Sequence, residues 1–309
     1  MAVFTPISEE QLTQHLAQFS LGKLISFVGI AEGVENTNYK LMTEKGPFIL
    51  TLFERRTRSE DLPFFIAFMK HLHGLGIPCP DVIAATDGRE VVSLNGKPAI
   101  ITSFLEGAWP KHVESFHSAA VGALLGRMHM AAGSFKIKRE NAMFLPAWKV
   151  LINACAGKTD LLPFLQEELA YLEKNWPAQL PSGAVHADLF PDNVFFTGKN
   201  LTGVIDFYFA CADTFVYDLM LTLNAWCFEP SGLNKEKAAL LLEAYQKERP
   251  LTEAEKKSLQ FFGRAAAIRI IATRLYDLLH PAAGAKVTPK DPLEYARILK
   301  FYQTESLPL

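Results

Sequence analysis

The feature of this sequence that most constrains its fold is a change of pattern near residue 107. Before that point, short apolar runs bounded by turn residues such as Asn95-Gly96 predict strands, and after it apolar residues recur at helical spacing. The predicted strands cover 24–30, 37–43, 48–53, 82–84, 90–94 and 98–104. The predicted helices cover 8–19, 61–75, 114–131, 160–174, 213–227, 235–248 and 253–279, with a last one after Asp291-Pro292. The pattern therefore predicts an α+β protein in two lobes: a small antiparallel sheet with one main helix in residues 1–106, and a larger, mainly helical part in residues 107–309.

Composition and charge exclude several classes of protein. The 309 residues are 49% hydrophobic, which allows a substantial core, and the formal net charge is −2 without runs of basic residues. We therefore expect no nucleic-acid partner. No apolar run approaches the ~20 residues of a membrane span, and the N-terminus lacks a secretory pattern, so we expect no membrane partner either. The four cysteines lack zinc or redox spacing, and we expect reduced, mostly buried thiols in a soluble, cytoplasmic protein.

One segment carries the chemistry. It runs from His186 to Asn193, and Asp206 closes the apolar strand that follows a short turn at 197–200. Phosphoryl transfer needs a carboxylate that receives the proton of the attacking hydroxyl and oxygen ligands that hold Mg²⁺. Asp188 suits the first task as catalytic base, Asn193 and Asp206 suit the second as metal ligands, and His186 is expected to organise the loop. These residues, within two such lobes, predict a bilobal protein-kinase-like fold with ATP and Mg²⁺ as cofactors.

Two segments are candidates for nucleotide binding. The strand-to-turn segment 100–107 lies between the two lobes in the sequence, so the backbone at Ser103 and Leu105 is expected to pair with the adenine edge, although the segment also fits an ordinary core strand. The turn 29–38 offers backbone amides and small polar side chains to phosphates, namely Asn36, Thr37 and Asn38. This second pattern is weak, because it lacks the full glycine spacing of a phosphate loop and also fits a plain hairpin turn.

One expected element is missing. Kinase-like lobes carry a phosphate-pairing lysine on the third strand, but the third predicted strand presents Thr51 in its place. The sequence leaves three replacements open, Lys40, Arg55 and Arg56, and a fourth possibility in which Mg²⁺ and backbone amides suffice.

With these residues assembled, the chain resembles the homoserine kinases of the aminoglycoside-phosphotransferase-like superfamily over nearly its whole length. The resemblance rests on the segments 33–39, 48–54, 186–193, 205–211, 224–227 and 269–277. It implies that Asp188 is the base, that Asn193 and Asp206 bind magnesium, and that Thr51 fits the pattern of these enzymes. The implied reaction is the ATP-dependent phosphorylation of L-homoserine to O-phosphohomoserine in threonine biosynthesis.

The acceptor pocket needs a cation for the substrate carboxylate. Arg264, Arg269 and Arg274 recur every five residues on one predicted helix, so they cannot all face one site. Arg269 or Arg274 is a candidate for a bidentate carboxylate clamp, with pairing to acids on neighbouring helices as an equal alternative. Tyr208 and Trp226 are candidate pocket walls, and core packing is equally compatible with both. Asp218 is expected to support the catalytic loop through His186, whereas His129 is read as a packing histidine.

Two other functions remain compatible with the sequence. Another small-molecule kinase of the same superfamily, acting on an amino alcohol or an aminoglycoside, would share the loop from His186 to Asn193. A catalytically silent nucleotide-binding protein would account for the missing strand lysine, although the intact Asp188, Asn193 and Asp206 argue against it.

Overall fold

The computed structural model describes residues 5–30, 36–54, 57–281 and 290–307. The chain divides into two units, each with its own core. The first contains residues up to Gly107 together with Thr202–Tyr208, and the second contains Ala108–Leu201 and Phe209–Leu309. The antiparallel sheet predicted for the N-terminal part and the helices predicted for the C-terminal part are both confirmed.

The first unit is built on an antiparallel sheet. Its order is β1-β2-β3-β6-β4, with β5 paired to β6. The strands are β1 (Leu24–Gly29), β2 (Thr37–Thr43), β3 (Gly46–Leu52), β4 (Val82–Ile83), β5 (Val92–Leu94) and β6 (Lys97–Ser103). Burial alternates strictly along β2, because every second side chain points into the core. Asn95 and Gly96 have φ of 50° and 75°, which is the conformation that their pairing in a two-residue hairpin requires.

Two helices accompany this sheet, α1 (Glu9–Leu16) and α2 (Leu62–Gly74). Helix α1 starts at a capping box in which the side chains of Ser8 and Gln11 each accept the other's backbone N–H. It ends three residues before the predicted end. Its buried Leu12 and Leu16 join a core cluster with Leu41 and other sheet residues, so α1 is held to the sheet by apolar burial.

The second unit is mainly helical. Its helices are α3 (Ser115–Ala132), α4 (Leu145–Asn153), α5 (Leu162–Asn175), α6 (Phe215–Cys227), α7 (Lys235–Glu248), α8 (Glu253–Leu279) and α9 (Leu293–Thr304). Short strands accompany them: β7 (Ser182–Val185) pairs antiparallel with β10 (Cys211–Thr214), and β11 (Phe228–Glu229) pairs with β12 (Gly232–Leu233). Strand β8 (Val194–Thr197) also belongs to this unit, whereas β9 (Asn200–Val204) has its last three residues in the first unit. The sequence analysis did not predict α4, β7, β10, β11 or β12.

Two expectations drawn from composition can be compared with this fold. The four cysteines are buried and unbridged, as predicted. Among the described residues, no helix combines the length and the apolar character that crossing a membrane requires.

Helices α3 and α7 approach each other closely because two glycines face α7. A Cβ atom on Gly126 would lie 2.7 Å from Cβ of Glu248 and 2.9 Å from the carbonyl oxygen of Tyr245. A Cβ atom on Gly122 would overlap the carbonyl oxygen of Leu241, which is a backbone atom and cannot rotate away. Side chains at these two positions would therefore force the helices apart.

Gly122→Ala is expected to destabilise the protein although alanine favours helices. An alanine in a helix interior ordinarily gains about 0.5–1 kcal/mol over glycine, but overpacking costs about 1–3 kcal/mol, and the clash with backbone puts this variant at the upper end. The matched control is Gly74→Ala at the end of α2, where an added Cβ meets nothing within 4 Å. Thermal unfolding measures both. A stabilised Gly122→Ala variant would show that α3 and α7 can separate freely.

Candidate active site

The segment from His186 to Asn193 forms a tight loop between β7 and β8. Strand β7 ends at Val185, which pairs with Cys211 on β10, so the loop starts from a fixed point. Ala187 has φ of 60°, a left-handed conformation that is rare for a residue with a side chain. Such strain costs on the order of 1–3 kcal/mol and persists only when neighbouring contacts impose it.

Asp218 on α6 supplies those contacts. Its Oδ1 accepts the backbone N–H of Ala187 at 2.8 Å, and its Oδ2 accepts the backbone N–H of His186 at 3.0 Å. The carboxylate is fully buried. Burial alone would raise the pKa of Asp218, but hydrogen bonds from His129 and from the N–H of Ala187 help to lower it below its ordinary value, so the carboxylate stays ionised. Asp218 reaches His186 through the backbone, while Nδ1 of the His186 ring accepts the N–H of Asp188 at 3.2 Å.

Asp188 lies at the end of this loop, and its side chain is 20% exposed. Burial raises the pKa of Asp188. The guanidinium of Arg269 opposes that rise, but the net shift of the pKa is still upward. Both Nη1 and Nη2 of Arg269 donate to Oδ1 of Asp188 at 3.3 Å. Arg269 itself is 3% exposed and lies over the ring of Phe209, 5.1 Å from its centre. Both arginine bonds therefore go to the same carboxylate oxygen, Oδ1.

Asn193 is oriented by the same loop. Its Nδ2 donates to the carbonyl oxygen of Asp188 at 2.8 Å and to Oδ2 of Asp188 at 3.3 Å. These bonds use the amide nitrogen, and Oδ1 of Asn193 has no hydrogen-bond donor among the residues that the structure describes. An amide oxygen left without a donor suits a hard cation such as Mg²⁺.

Asp206 follows β9 and belongs to the first unit. It has φ of 65°, so, like Ala187, it is a non-glycine residue held in the left-handed region. Its carboxylate is half-buried and adds to burial in raising the pKa of Tyr208. The described residues contain no group of three or more His, Cys, Asp or Glu side chains able to hold a metal. That Asp206 shares an ion with Asn193 stays a prediction.

The three arginines of α8 each pair with a different acid. Arg264 forms a bidentate ion pair with Glu168, with both bonds at 2.6 Å. Arg274 donates to Glu294 at 2.7 Å and to the carbonyl oxygen of Asp291 at 2.9 Å. Pairing with acids, the alternative that the sequence left open, describes all three arginines, and a role of Arg269 or Arg274 in binding a substrate carboxylate stays a prediction. The Arg269–Asp188 pair spans 81 residues, and no local pattern in the sequence could have indicated it.

The two candidate pocket walls differ. Tyr208 lies in the first unit between Phe53 and Phe65, with edge-on ring contacts of 5.0 and 5.8 Å, which is the packing alternative. Trp226 on α6 is 1% exposed, and its Nε1–H donates to the carbonyl oxygen of Leu189 at 2.7 Å. Trp226 therefore fixes the residue next to Asp188.

Trp226→Phe is expected to lower kcat as well as stability, because the carbonyl of Leu189 loses its buried donor. An unsatisfied buried group costs about 1–3 kcal/mol. Trp148→Phe is the matched control: Trp148 is also fully buried, and its Nε1–H donates at 2.7 Å to the carbonyl oxygen of Met143, away from the loop. Thermal unfolding and steady-state rates separate the two effects. Equal losses of kcat in both variants would mean that Trp226 acts only through stability.

Trp226 also lines a cavity of about 560 Å³ in the second unit. The wall carries both charge signs, with Lys111, Lys237 and Glu229 among its residues, and Phe228 adds an apolar surface. Such a cavity suits a small ligand with separate positive and negative groups.

The predicted phosphate-binding residues are engaged within the first unit. Oδ1 of Asn36 accepts the backbone N–H of Glu54 at 3.2 Å, and the hydroxyl of Thr37 donates to Oε1 of Glu54 at 2.7 Å. Oδ1 of Asn38 accepts a hydrogen bond from the hydroxyl of Thr51 at 2.8 Å. Thr51, which stands where kinase-like lobes carry a lysine, is therefore bonded to the neighbouring strand β2. Residues 31–35 of the predicted turn lie outside the described residues.

Among the candidate replacements for the strand lysine, Lys40 is on β2 and its Nζ lies 4.1 Å from the centre of the Phe104 ring. Arg55 and Arg56 lie outside the described residues.

The predicted adenine contact stays a prediction. The backbone N–H of Ser103 donates to the carbonyl oxygen of Asp81, and its hydroxyl accepts the N–H of Asp81, each at 2.9 Å. These bonds leave the carbonyl oxygen of Ser103 as the group that could accept a hydrogen bond from a base. Leu105 follows the strand, and its side chain packs on Gly203.

Known proteins resemble this chain in sequence and in fold. A family model described as the phosphotransferase enzyme family matches residues 26–251. A curated homoserine kinase of Nitrobacter winogradskyi is 50% identical over 98% of this chain and 95% of its own length, and one of Bradyrhizobium diazoefficiens is 49% identical over 99% and 96%. Among solved structures, an amicoumacin kinase in complex with AMP-PNP, Ca²⁺ and amicoumacin has a TM-score of 0.71 at 18% identity, covering 98% of this chain and 96% of that one. A choline kinase from Streptococcus pneumoniae has a TM-score of 0.69 at 14% identity, covering 96% and 99%. At such identities the two structures show the fold alone.

Proposed function

Because the chain belongs to the phosphotransferase enzyme family, we propose that it transfers the γ-phosphoryl group of ATP to an alcohol and that this alcohol is the side-chain hydroxyl of L-homoserine. The chain is a homoserine kinase by its near-50% identity, over almost its whole length, to curated enzymes of that name. That identity is the observation that carries the substrate, since the neighbouring structures act on chemically different acceptors.

Asp188 is the proposed catalytic base. The bond between the γ-phosphorus and the bridging oxygen of ADP breaks, the homoserine oxygen forms the new bond to phosphorus, and the hydroxyl proton passes to the Asp188 carboxylate. Arg269 holds Oδ1 of that carboxylate, so Oδ2 is the atom proposed to receive the proton. Burial raises the pKa of Asp188, which makes it a better proton acceptor than an exposed aspartate.

Asn193 and Asp206 are the proposed magnesium ligands. Bound magnesium would neutralise charge on the phosphate oxygens during transfer. The fit rests on the amide oxygen of Asn193, which is aimed by two bonds from the amide nitrogen. The backbone of Ser103 and Leu105 is proposed to bind adenine. Asn36, Thr37 and Asn38, where β2 begins, are proposed to bind phosphate.

The cavity beside Trp226 is proposed to hold the acceptor. Homoserine is a small zwitterion, so Lys111 is proposed to face its carboxylate and Glu229, whose Oε1 also accepts a hydrogen bond from Lys237 at 2.6 Å, is proposed to face its ammonium. Trp226 lines the cavity and also donates its Nε1–H to Leu189, the residue after Asp188, which is the contact that links the cavity wall to the catalytic loop.

An ADP-release assay over L-homoserine, L-serine, L-threonine, choline and kanamycin tests the proposal. We expect Mg²⁺-dependent ADP formation with L-homoserine and little with the other acceptors. Preferred turnover of choline or kanamycin would replace homoserine with another acceptor of the same family. ATP binding in a thermal-shift titration without ADP release for any acceptor would contradict catalysis itself.

A further inference from the structure

Buried polar side chains form a line that starts at Asp218 and continues through His129, Tyr245 and Arg249 to Glu255. Nε2 of His129 lies 3.0 Å from Oδ2 of Asp218, and Nδ1 of His129 lies 2.8 Å from the hydroxyl of Tyr245. Nη1 of Arg249 donates to that hydroxyl at 3.0 Å, and Nη2 of Arg249 is 2.8 Å from Oε1 of Glu255. Four helices contribute to the line: α6, α3, the end of α7 and the first turn of α8.

These groups are expensive to bury. Asp218, Tyr245 and Glu255 are fully buried, and His129 and Arg249 are 2% and 8% exposed. Replacing a buried ionic pair by apolar residues is often neutral or stabilising, so burial of this kind is weak evidence for a purely stabilising role. The line also ends on the carboxylate that imposes the left-handed turn at Ala187, one residue before Asp188.

The donors are arranged in one direction. Arginine has no acceptor, so Arg249 must donate to the oxygen of Tyr245. The hydroxyl proton of Tyr245 is then available for Nδ1 of His129, which leaves the imidazole proton on Nε2, facing Asp218. The ring of Phe215 stacks on His129 with centres 4.6 Å apart and keeps it in the plane of these bonds. Each bond fixes the tautomer or orientation of the next group.

We propose that Tyr245 and Arg249 are positioning residues of the phosphoryl transfer, which hold His129 so that Asp218 keeps the backbone before Asp188 in its left-handed turn. The inference rests on the proposed function, because it assigns these residues to that reaction. It extends the machinery to side chains that never reach the nucleotide or the acceptor.

Tyr245→Phe tests the proposal, since it removes one hydroxyl and leaves the ring. We expect kcat to fall about tenfold, the value of one buried hydrogen bond, with little change in KM for ATP or the acceptor. Backbone amide hydrogens of His186 and Ala187 should exchange faster by a similar factor. Tyr302→Phe is the matched control: Tyr302 is also fully buried and its hydroxyl donates at 2.8 Å to Oδ1 of Asn224, outside the line. It should alter neither kcat nor the exchange of these two amides.

The exchange measurement separates this proposal from the proposed function, because it needs no acceptor. Faster exchange in Tyr245→Phe alone supports the positioning role even if homoserine is not turned over. Unchanged exchange and kcat in Tyr245→Phe, or changes equal to those of Tyr302→Phe, would overturn it. Arg249→Lys is the conservative variant: it keeps one charged donor, so it should lose less kcat than Arg249→Met at comparable stability.

Discussion

Asp188→Asn is expected to lower kcat with L-homoserine about 10³-fold, within the range that a general base contributes. An amide cannot accept the hydroxyl proton, yet it has the same shape and keeps an oxygen for Arg269. Binding of ATP should change little, because the side chain is assigned to the acceptor hydroxyl. An ADP-release assay gives kcat and KM, and a thermal-shift titration gives nucleotide binding.

Asp192→Asn is the matched control for this variant. Asp192 lies four residues further along the same loop, its side chain is 50% exposed, and it pairs with Lys290 at 3.1 Å. The same loss of charge there should leave kcat within about threefold of wild type, because exposed pairs contribute little. If Asp188→Asn retained activity close to that of Asp192→Asn, Asp188 would not be the base.

Arg269→Gln should move the acid limb of the pH profile of kcat/KM to higher pH. Burial raises the pKa of Asp188 and the Arg269 guanidinium partly reverses that rise, so removal of the positive charge lets the pKa rise further. The ionised carboxylate is the active form of a base. A higher pKa leaves more Asp188 protonated at a given pH, so activity is lost at a pH where the wild type still works.

Arg269→Gln should also lose stability, because breaking a buried ion pair costs about 3–5 kcal/mol. Protonation of Asp188 removes the unpaired charge, so the loss should lie near the lower figure. Arg264→Gln is the matched control on the same helix. It breaks the buried pair with Glu168, so it should lose comparable stability but leave the acid limb in place. Arg269→Lys keeps the charge and should move the limb less than Arg269→Gln. An unshifted limb in Arg269→Gln would mean that another group sets the observed pKa.

Elements with strong local signals were predicted closely. Helix α8 begins at the capping box of Thr252 and Glu255, and its predicted bounds, like those of α7, match the structure. Strand β2 matches as well, since its alternating pattern is unambiguous. These signals act between residues within about four positions of each other.

Elements without such signals were missed. Helix α4 starts at Leu145 after Phe144, whose side chain provides no cap, and is only nine residues long. Strands β7 and β10 are four residues each and exist because they pair across about thirty residues of chain. For the same reason the sequence could not show that the carbonyl oxygen of Asp81 accepts the N–H of Ser103. Nor could it show the hydrogen bonds that join Glu54 to Asn36 and Thr37.

The sequence by itself determined which side chains are available for phosphoryl transfer and which local elements carry them, because motif spacing, caps and turn residues depend on near neighbours. Only the tertiary structure decided their partners: Arg269 beside Asp188, Asp218 beneath Ala187 and His129 behind Asp218. The reason is physical. The basicity of Asp188 depends on how much water is removed from it and which charge replaces that water, and both are set by segments of chain that fold back from 30 to 90 residues away.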